Sequence, residues 1–347
     1  MHVPDGFIDA PLSAATGVVA AAAVAVSLRG ARRELDERTA PLAGLVAAFI
    51  FAVQMLNFPV AAGTSGHLLG GALAAILVGP YTGVLCVSVV LLMQGILFAD
   101  GGLTALGVNI TDMAVVTTVV AYAVFRGLVK VLPRRRSSIT AASFVAAVLS
   151  VPAAALAFTL IYAVGGTTDV SLGKVATAMI GVHVLIGIGE AAITALTVGA
   201  VIAVRPDLVY GARGLQQKLK LRVDGELVDV PAAEPVPVAA RSHRKVWITG
   251  LVTSLVLAGV VSFYASANPD GLEKVAADKG IDAKAEEHAN ADSPLADYGV
   301  KDVENARLSG GLAGVIGVGV TVVAGSAVFW SVRRRRTADT TPVSTGV

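Results

Sequence analysis

The sequence predicts an all-α integral membrane protein with a seven-span helical body and a two-span C-terminal tail. Composition is the first indication: 55% of the 347 residues are hydrophobic and 15% are charged, against roughly 25% charged residues in an average soluble domain. The second is arrangement, because the apolar residues form continuous blocks near the roughly 20 residues that a bilayer-crossing helix needs. The third is the distribution of Lys and Arg, which predicts the orientation.

Nine apolar blocks are the candidate spans. They cover residues 11–28, 41–57, 67–80, 81–98, 104–125, 139–164, 175–204, 246–265 and 309–332. The third block is short: from His67 to Pro80 it would reach roughly 21 Å as a helix, less than the ~30 Å hydrocarbon core. It is a short span, a re-entrant segment or the first half of one long helix. A break at Gly79-Pro80 is favoured, because proline lacks a backbone donor.

The basic residues predict an outside amino terminus and an inside carboxyl terminus. Lys and Arg concentrate in 29–40, 126–138, 205–245 and 333–336, which together hold 21 of the chain's 27. Short cytoplasmic loops collect such residues, and nine crossings place all four segments inside. Merging 67–98 into one crossing would put 126–138 outside.

This organisation divides the chain into four parts. Residues 1–204 form the membrane body, 205–245 a Pro-containing basic cytoplasmic linker, 246–332 a two-helix region and 333–347 a basic cytoplasmic tail. The polar, acidic outer loop 266–308 is expected to be only partly ordered. The single cysteine, Cys86, excludes a disulfide framework, and a net charge of +2 is too small to indicate nucleic-acid binding.

The amino terminus is the first candidate site. Residues 1–10 contain no Lys or Arg, so no cleavable signal peptide is expected, and the large His2 should protect Met1 from aminopeptidases. The Met1 amine, the His2 backbone nitrogen and His2 Nδ1 can close adjoining chelate rings. Such nitrogen donors in a plane suit Ni(II) or Cu(II), and Co(II) can also be held this way. The alternative is a solvated terminus, but the Pro4–Gly6 turn and apolar Phe7 favour folding back into the bundle.

His67 is the natural fourth ligand. It follows a glycine-rich stretch, 63–66, on the predicted outer side, and ionisable groups at membrane depth mark functional sites by default. The stretch lacks the Lys-Ser/Thr of a phosphate-binding loop. The alternative is a histidine hydrogen-bonded to a neighbouring helix.

Four further polar residues are candidates to orient these ligands: Asn109, Asp112, His183 and Glu190. His183 and Glu190 are seven positions apart, so they share a helix face about 10 Å apart, too far to chelate one ion together. Interhelical hydrogen bonding is the alternative for His183, and helix capping for Asn109 and Asp112. His243 and His288 are expected to be solvated.

Several motifs resemble a known family. MHVPDGF at the amino terminus, 63–80 (GTSGHLLGGALAAILVGP), 94–113 (QGILFADGGLTALGVNITDM) and 183–194 (HVLIGIGEAAIT) resemble the CbiM/NikM family over about residues 1–210. These proteins are the substrate-capture (S) components of energy-coupling-factor transporters for cobalt or nickel. Asn268–Glu273 (NPDGLE), between two candidate helices, resembles the PDGLE region of CbiN/NikN, which implies a fusion of two subunits.

The resemblance implies a transporter subunit of the plasma membrane rather than an enzyme. It implies that the Met1 amine, His2 and His67 hold the transported Co(II) or Ni(II). The imported ion would then serve cobalamin biosynthesis or nickel enzymes. It also implies a transmembrane coupling (T) protein and two ATPase subunits as partners, and the chain itself carries no phosphate-binding loop. The choice between the two ions stays open.

Two other functions are alternatives. An intramembrane metalloenzyme using His183 and Glu190 would need an open coordination position for water, and the sequence has no His-Glu-x-x-His motif. An ion-coupled secondary transporter would usually show inverted repeats and charged residues at mid-bilayer. No repeat is visible in the sequence.

Overall fold

A computed structural model describes residues 1–35, 39–61, 63–215, 220–223, 226–229 and 244–339. Arg38 and His243, much of the predicted linker and the end of the basic tail lie outside the described residues. Within the described part of the linker, two short strands, β3 (Lys220–Val223) and β4 (Glu226–Asp229), form an antiparallel hairpin.

The nine apolar blocks of the sequence all contain helices. The helices of the first 204 residues are α1 (Ala10–Glu34), α2 (Ala40–Gln54), α3 (Gly71–Val78), α4 (Pro80–Leu97), α5 (Leu106–Asn109), α6 (Thr117–Val131), α7 (Arg136–Gly165) and α8 (Leu172–Val204). The C-terminal helices are α9 (Arg244–Gly259), α10 (Gly271–Lys279) and α11 (Ala306–Asp339). A π-helical segment, Ile110–Val116, joins α5 to α6 in one continuous span. Among the described residues, seven helical stretches are long and apolar enough to cross a membrane, which confirms a multi-pass helical protein.

The third apolar block is a half-length helix. All eight residues of α3 are buried, and at 1.5 Å per residue it rises only about 12 Å, too little to cross the hydrocarbon core alone. The predicted break is confirmed: Gly79 adopts φ 105° and Pro80 begins α4. An ideal Cβ on Gly83 would lie 2.9 Å from the backbone nitrogen of Ala75, so α3 and α4 pack backbone to backbone inside the bundle.

One face of α1 packs inside this chain, while many of its alanines are exposed. An ideal Cβ on Gly107 would lie 2.4 Å from Gly17 N, so α1 meets α5 without an intervening side chain. At the other end of α1, the Glu34 carboxylate accepts the N–H groups of Tyr81 and Thr82 at 3.2 and 2.7 Å. These N–H groups lie in the first turn of α4, where the helix itself provides no acceptor. Both ends of α1 are therefore in contact with the bundle.

The C-terminal region folds onto the membrane body. α9 and α11 pack against α2, where an ideal Cβ on Gly44 would lie 2.5 Å from Ser326 Oγ. The expectation of partial order for loop 266–308 was wrong. This segment contains α10 and two 3₁₀ turns, and its backbone hydrogen-bonds to the body from Ser266 N to Asn57 O (2.7 Å) and from Asp297 N to Phe98 O (2.9 Å). The polar composition reflects many hydrogen bonds to other loops rather than disorder.

Candidate metal centre

The amino-terminal residues run into the bundle rather than into solvent. Met1 is 2% exposed and Val3 is fully buried. Asn109 holds both sides of the Val3 peptide: Val3 N donates to Asn109 Oδ1 at 2.7 Å, and Asn109 Nδ2 donates to Val3 O at 3.1 Å. Because Asn109 lies in the short helix α5, this pair of bonds fixes the depth to which the terminus enters.

Asp5 and Asp9 then lead the chain back toward α1. The Asp5 carboxylate accepts the N–H groups of Leu103 and Thr104 at 3.2 and 2.7 Å. Gly102 is required beside it, because an ideal Cβ there would lie 2.3 Å from Asp5 N. Asp9 caps α1 by accepting from Leu12 N at 2.8 Å. The first nine residues therefore enter the bundle and turn back to α1, and hydrogen bonds hold them in this conformation.

His67 comes from a hairpin that precedes α3. Strands β1 (Phe58–Ala61) and β2 (Thr64–Gly66) pair antiparallel, and His67 follows directly. His67 Nδ1 donates to Leu68 O at 3.0 Å, and since a carbonyl only accepts, the lone pair resides on Nε2. That Nε2 lies 2.5 Å from the Met1 amine. Met1 and His67 are 66 positions apart in the sequence, so tertiary packing alone brings these two nitrogens together.

A side chain of α8 positions the loop that follows His67. The Glu190 carboxylate accepts from Leu69 N at 2.6 Å and from Gly70 N at 3.2 Å. Gly70 supplies a left-handed turn with φ 91°, a conformation that other residues rarely adopt. Glu190 therefore sets the position of His67 through the backbone.

His2 lies against His67, and each of its ring nitrogens faces an acceptor oxygen, to only one of which a neutral imidazole can donate. The two imidazoles stack with centroids 5.1 Å apart and 20° between their planes. His2 Nδ1 lies 3.3 Å from Asp100 Oδ1, and His2 Nε2 lies 3.2 Å from Gln94 Oε1. Burial lowers the pKa of His2 to about 4, although Asp100 acts in the opposite direction. His2 is therefore neutral near pH 7, the form that binds metal ions.

Two residues of the C-terminal region complete the surroundings. Asp270 Oδ2 lies 2.5 Å from the Met1 amine and 3.4 Å from His67 Nε2. Burial alone would raise the pKa of Asp270, but the amino terminus and His67 bring it well below its usual range. Tyr298 donates its hydroxyl to Asp100 Oδ2 at 2.5 Å and accepts from Gln94 Nε2 at 2.9 Å. Burial and Asp100 raise the pKa of Tyr298, so its hydroxyl keeps the proton.

These groups form a compact donor cluster. One ligand atom each of His2, His67 and Asp270 lies within 4.8 Å of the others. They line a cavity of about 590 Å³ that also contacts Glu286 and Asp297. Imidazole nitrogen and carboxylate oxygen together suit divalent transition metals.

The other residues singled out from the sequence have different surroundings. His183 Nδ1 donates to Met179 O at 2.7 Å, and its buried Nε2 has no hydrogen-bond partner among the described residues. Both carboxylate oxygens of Asp112, in the π-helical segment, likewise lack one within the described ranges. His288 is half-buried and its Nε2 contacts Gly101 O at 3.3 Å. None of these three belongs to the donor cluster.

Sequence reasoning missed three residues of the site: Asp100, Asp270 and Tyr298. Asp270 carries a visible local signal, because Asp-x-x-Glu is a helix-capping pattern and Asp270 and Glu273 form such a box. That pattern predicts the start of a helix. It does not predict that the helix begins beside Met1.

Comparisons with known proteins identify the family. The model described as "Cobalt uptake substrate-specific transmembrane region", CbiM, matches residues 2–208. The chain belongs to the CbiM family. A second model, the PDGLE domain, matches residues 244–334. The chain is thus a membrane transport component of the CbiM/NikMN type and not an enzyme.

Individual relatives agree with this assignment. A protein of Archaeoglobus fulgidus, provisionally named a fused nickel transport protein (NikMN), is 36% identical over 271 residues, which are 76% of this chain and 88% of that protein. A cobalt transport protein, CbiM, of Sorangium cellulosum is 33% identical over 60% of this chain and 94% of its own. The crystal structure of a truncated transition-metal transporter superposes with a TM-score of 0.53 at 27% identity, covering 58% of this chain and 99% of that one.

Proposed function

We propose that this protein is the substrate-binding membrane component of an ATP-driven energy-coupling-factor importer for Co(II) or Ni(II). The observation that carries the proposal is the 2.5 Å approach of the buried Met1 amine to His67 Nε2. With the His2 amide and imidazole, these atoms supply four nitrogen donors. Four nitrogens in a plane suit Ni(II), and Co(II) accepts the same donors.

The surrounding residues support ion capture. His2 is neutral and its ring already lies against His67, so little reorganisation is needed to offer a lone pair. Asp100 and Gln94 contact the two ring nitrogens of His2. Ion binding therefore exchanges one of these contacts for a metal bond, while the other keeps the ring oriented.

The proposal includes partners and sidedness. A transmembrane coupling protein and two ATPase subunits would supply the energy, since the chain has no phosphate-binding loop of its own. The site would face outward, with residues 1–204 capturing the ion, 246–332 acting as a fused second unit, and 205–245 and 333–347 in the cytoplasm. The imported ion would serve cobalamin biosynthesis or nickel enzymes.

An extension of the amino terminus tests this function. Placing Gly-Ser ahead of Met1 converts the free amine into an amide and adds bulk to a buried site, so uptake of radioactive nickel and cobalt by cells expressing the complete importer should be lost. The same Gly-Ser after Val347 is the control and should leave uptake unchanged. Normal uptake by the amino-terminal variant, at equal abundance in the membrane, would contradict the proposed site. Uptake that survives ATP depletion would contradict the proposed energy source.

A further inference from the structure

The position of Asp270 is determined by contacts with the segment just before His67. Ser65 N donates to Pro269 O at 2.8 Å, and Ser65 Oγ donates to Asn268 O at 2.8 Å. Ser65 is two residues from His67, so the hairpin that carries His67 also holds the turn that carries Asp270. The two side chains are therefore placed by one rigid unit.

The two oxygens of Asp270 have separate partners. Oδ1 accepts from Glu273 N at 2.9 Å and so caps α10, while Glu273 Oε2 accepts from Asp270 N at 2.9 Å. Oδ2 is turned away from the helix and contacts the Met1 amine and His67 Nε2. The cap fixes the carboxylate plane and leaves one oxygen for the donor cluster.

Close packing of α10 on α8 brings this oxygen to its position. An ideal Cβ on Gly271 would lie 2.8 Å from Ile186 Cδ1 and 3.1 Å from His183 Cε1. A glycine directly after Asp270 thus allows the first turn of α10 to lie on α8. A larger residue there would force either Ile186 or the first turn of α10 to move.

We propose that Asp270 Oδ2 is a direct ligand of the transported ion, so that the C-terminal region completes a coordination sphere begun by the amino terminus. This inference rests on the proposed function. The Met1 amine lies 2.5 Å from both His67 Nε2 and Asp270 Oδ2, and these two atoms are 3.4 Å apart. Three atoms at those separations can all lie about 2.0–2.2 Å from one ion, the length of metal bonds to histidine nitrogen and carboxylate oxygen.

Charge favours the same arrangement. Asp270 is 8% exposed, and a buried carboxylate is costly unless a cation accompanies it. Its ion-pair partner within the described part of the chain is the Met1 amine, while neutral His67 Nε2 lies 3.4 Å away. The amine loses its positive charge when it gives its lone pair to the ion. A carboxylate that bonds to the ion keeps a positive partner. The competing arrangement is a planar ion bound by four nitrogens, with Asp270 only accepting a hydrogen bond from the coordinated amine.

The magnetic state of bound Ni(II) distinguishes the two arrangements. Planar four-nitrogen Ni(II) is diamagnetic, whereas a carboxylate oxygen bound axially at normal bond length favours the paramagnetic state. The purified full-length chain, loaded with Ni(II) alone, is expected to be paramagnetic. Asp270→Asn, whose side-chain oxygen can still cap α10, should give a diamagnetic ion and a Kd for Ni(II) at least about tenfold higher. Glu286→Gln removes an equal charge from the same cavity and should change neither property.

Each other outcome has a defined meaning. A diamagnetic wild-type complex whose X-ray absorption spectrum shows four nitrogens and no fifth ligand would overturn Asp270 as a ligand, and neither measurement needs a variant to fold. An unchanged Kd and paramagnetism in Asp270→Asn would overturn it as well. Failure of the proposed function is separate: the wild-type chain would then bind no nickel, or the variant with Gly-Ser ahead of Met1 would bind it normally.

Discussion

The carboxylate of Glu190 accepts the backbone N–H of Leu69 at 2.6 Å, two positions after the proposed ligand His67. Gly70 N donates a second bond at 3.2 Å, so each oxygen of Glu190 accepts one backbone N–H. The two side-chain oxygens of Glu190 thus fix a loop whose glycine would otherwise leave it free to move. Metal affinity should depend on Glu190 although this side chain lies outside the donor cluster.

Glu190→Gln should weaken ion binding. Glutamine offers one acceptor oxygen in place of two, so one N–H of the His67 loop loses its partner. A buried N–H left unpaired costs about 1–3 kcal/mol, and the loss of a group that orients a ligand raises Kd by about 10–100-fold. Calorimetric titration of the purified chain with Ni(II) measures the effect.

Glu34→Gln is the matched control. Glu34 also accepts two backbone N–H groups, those of Tyr81 and Thr82, but these belong to the first turn of α4 and not to the His67 loop. This variant should lose a similar amount of thermal stability and keep its Kd. Equal loss of affinity in both variants would show that Glu190 acts through global stability and not through His67.

The helices and part of the site could be predicted because their signals lie close together in the sequence. Spans are local features, so nine apolar blocks and the Gly79-Pro80 break could be located from composition and proline chemistry alone. The amino-terminal chelate stays a prediction, made because its donors are adjacent in sequence. His67 was singled out because it follows a glycine-rich stretch, and the structure places it beside Met1.

The contribution of the C-terminal region could not be predicted in the same way. Asp270 and Tyr298 meet Met1 and Gln94 across about 200 residues or more, and loop 266–308 is polar enough to suggest partial disorder. Its order comes from backbone hydrogen bonds to loops of the body, such as Ser65 N to Pro269 O. Such pairings leave no periodic pattern in the sequence.

Tyr298→Phe should weaken Ni(II) binding by a smaller factor than Glu190→Gln does. The hydroxyl joins Asp100 to Gln94, and these two side chains contact the ring of His2. Phenylalanine removes both hydrogen bonds, but Asp100 and Gln94 act on the ion only through His2. A net effect on binding of about 1 kcal/mol is therefore expected, and Kd for Ni(II) should rise roughly fivefold. Tyr264→Phe, at a side chain that is 79% exposed, should leave Kd unchanged. Equal or tighter binding by Tyr298→Phe would show that this network does not orient His2.

Gly107→Ala should destabilise the body by separating α1 from α5. Its Cβ would lie 2.4 Å from Gly17 N and 2.5 Å from Gly17 Cα, and backbone atoms cannot move aside as a side chain can. Overpacking of this kind costs about 1–3 kcal/mol, measured as a lower Tm in detergent. Gly17→Ala is the opposite case, because nothing lies within 4 Å of its Cβ, and its Tm should be unchanged or higher. A stable Gly107→Ala would contradict this close packing of the two helices.

The predicted orientation can be tested with one cysteine at each end of α7. The natural Cys86 is fully buried, so background labelling should be low, whereas Asp169 and Ser137 are exposed. An outside amino terminus places Asp169 outside and Ser137 in the cytoplasm beside the basic loop 126–138. In whole cells a membrane-impermeant maleimide should therefore label Asp169→Cys and reach Ser137→Cys only after permeabilisation. The reverse pattern would invert the topology and would place the Met1–His67 site on the cytoplasmic side, where it could not capture an ion for import.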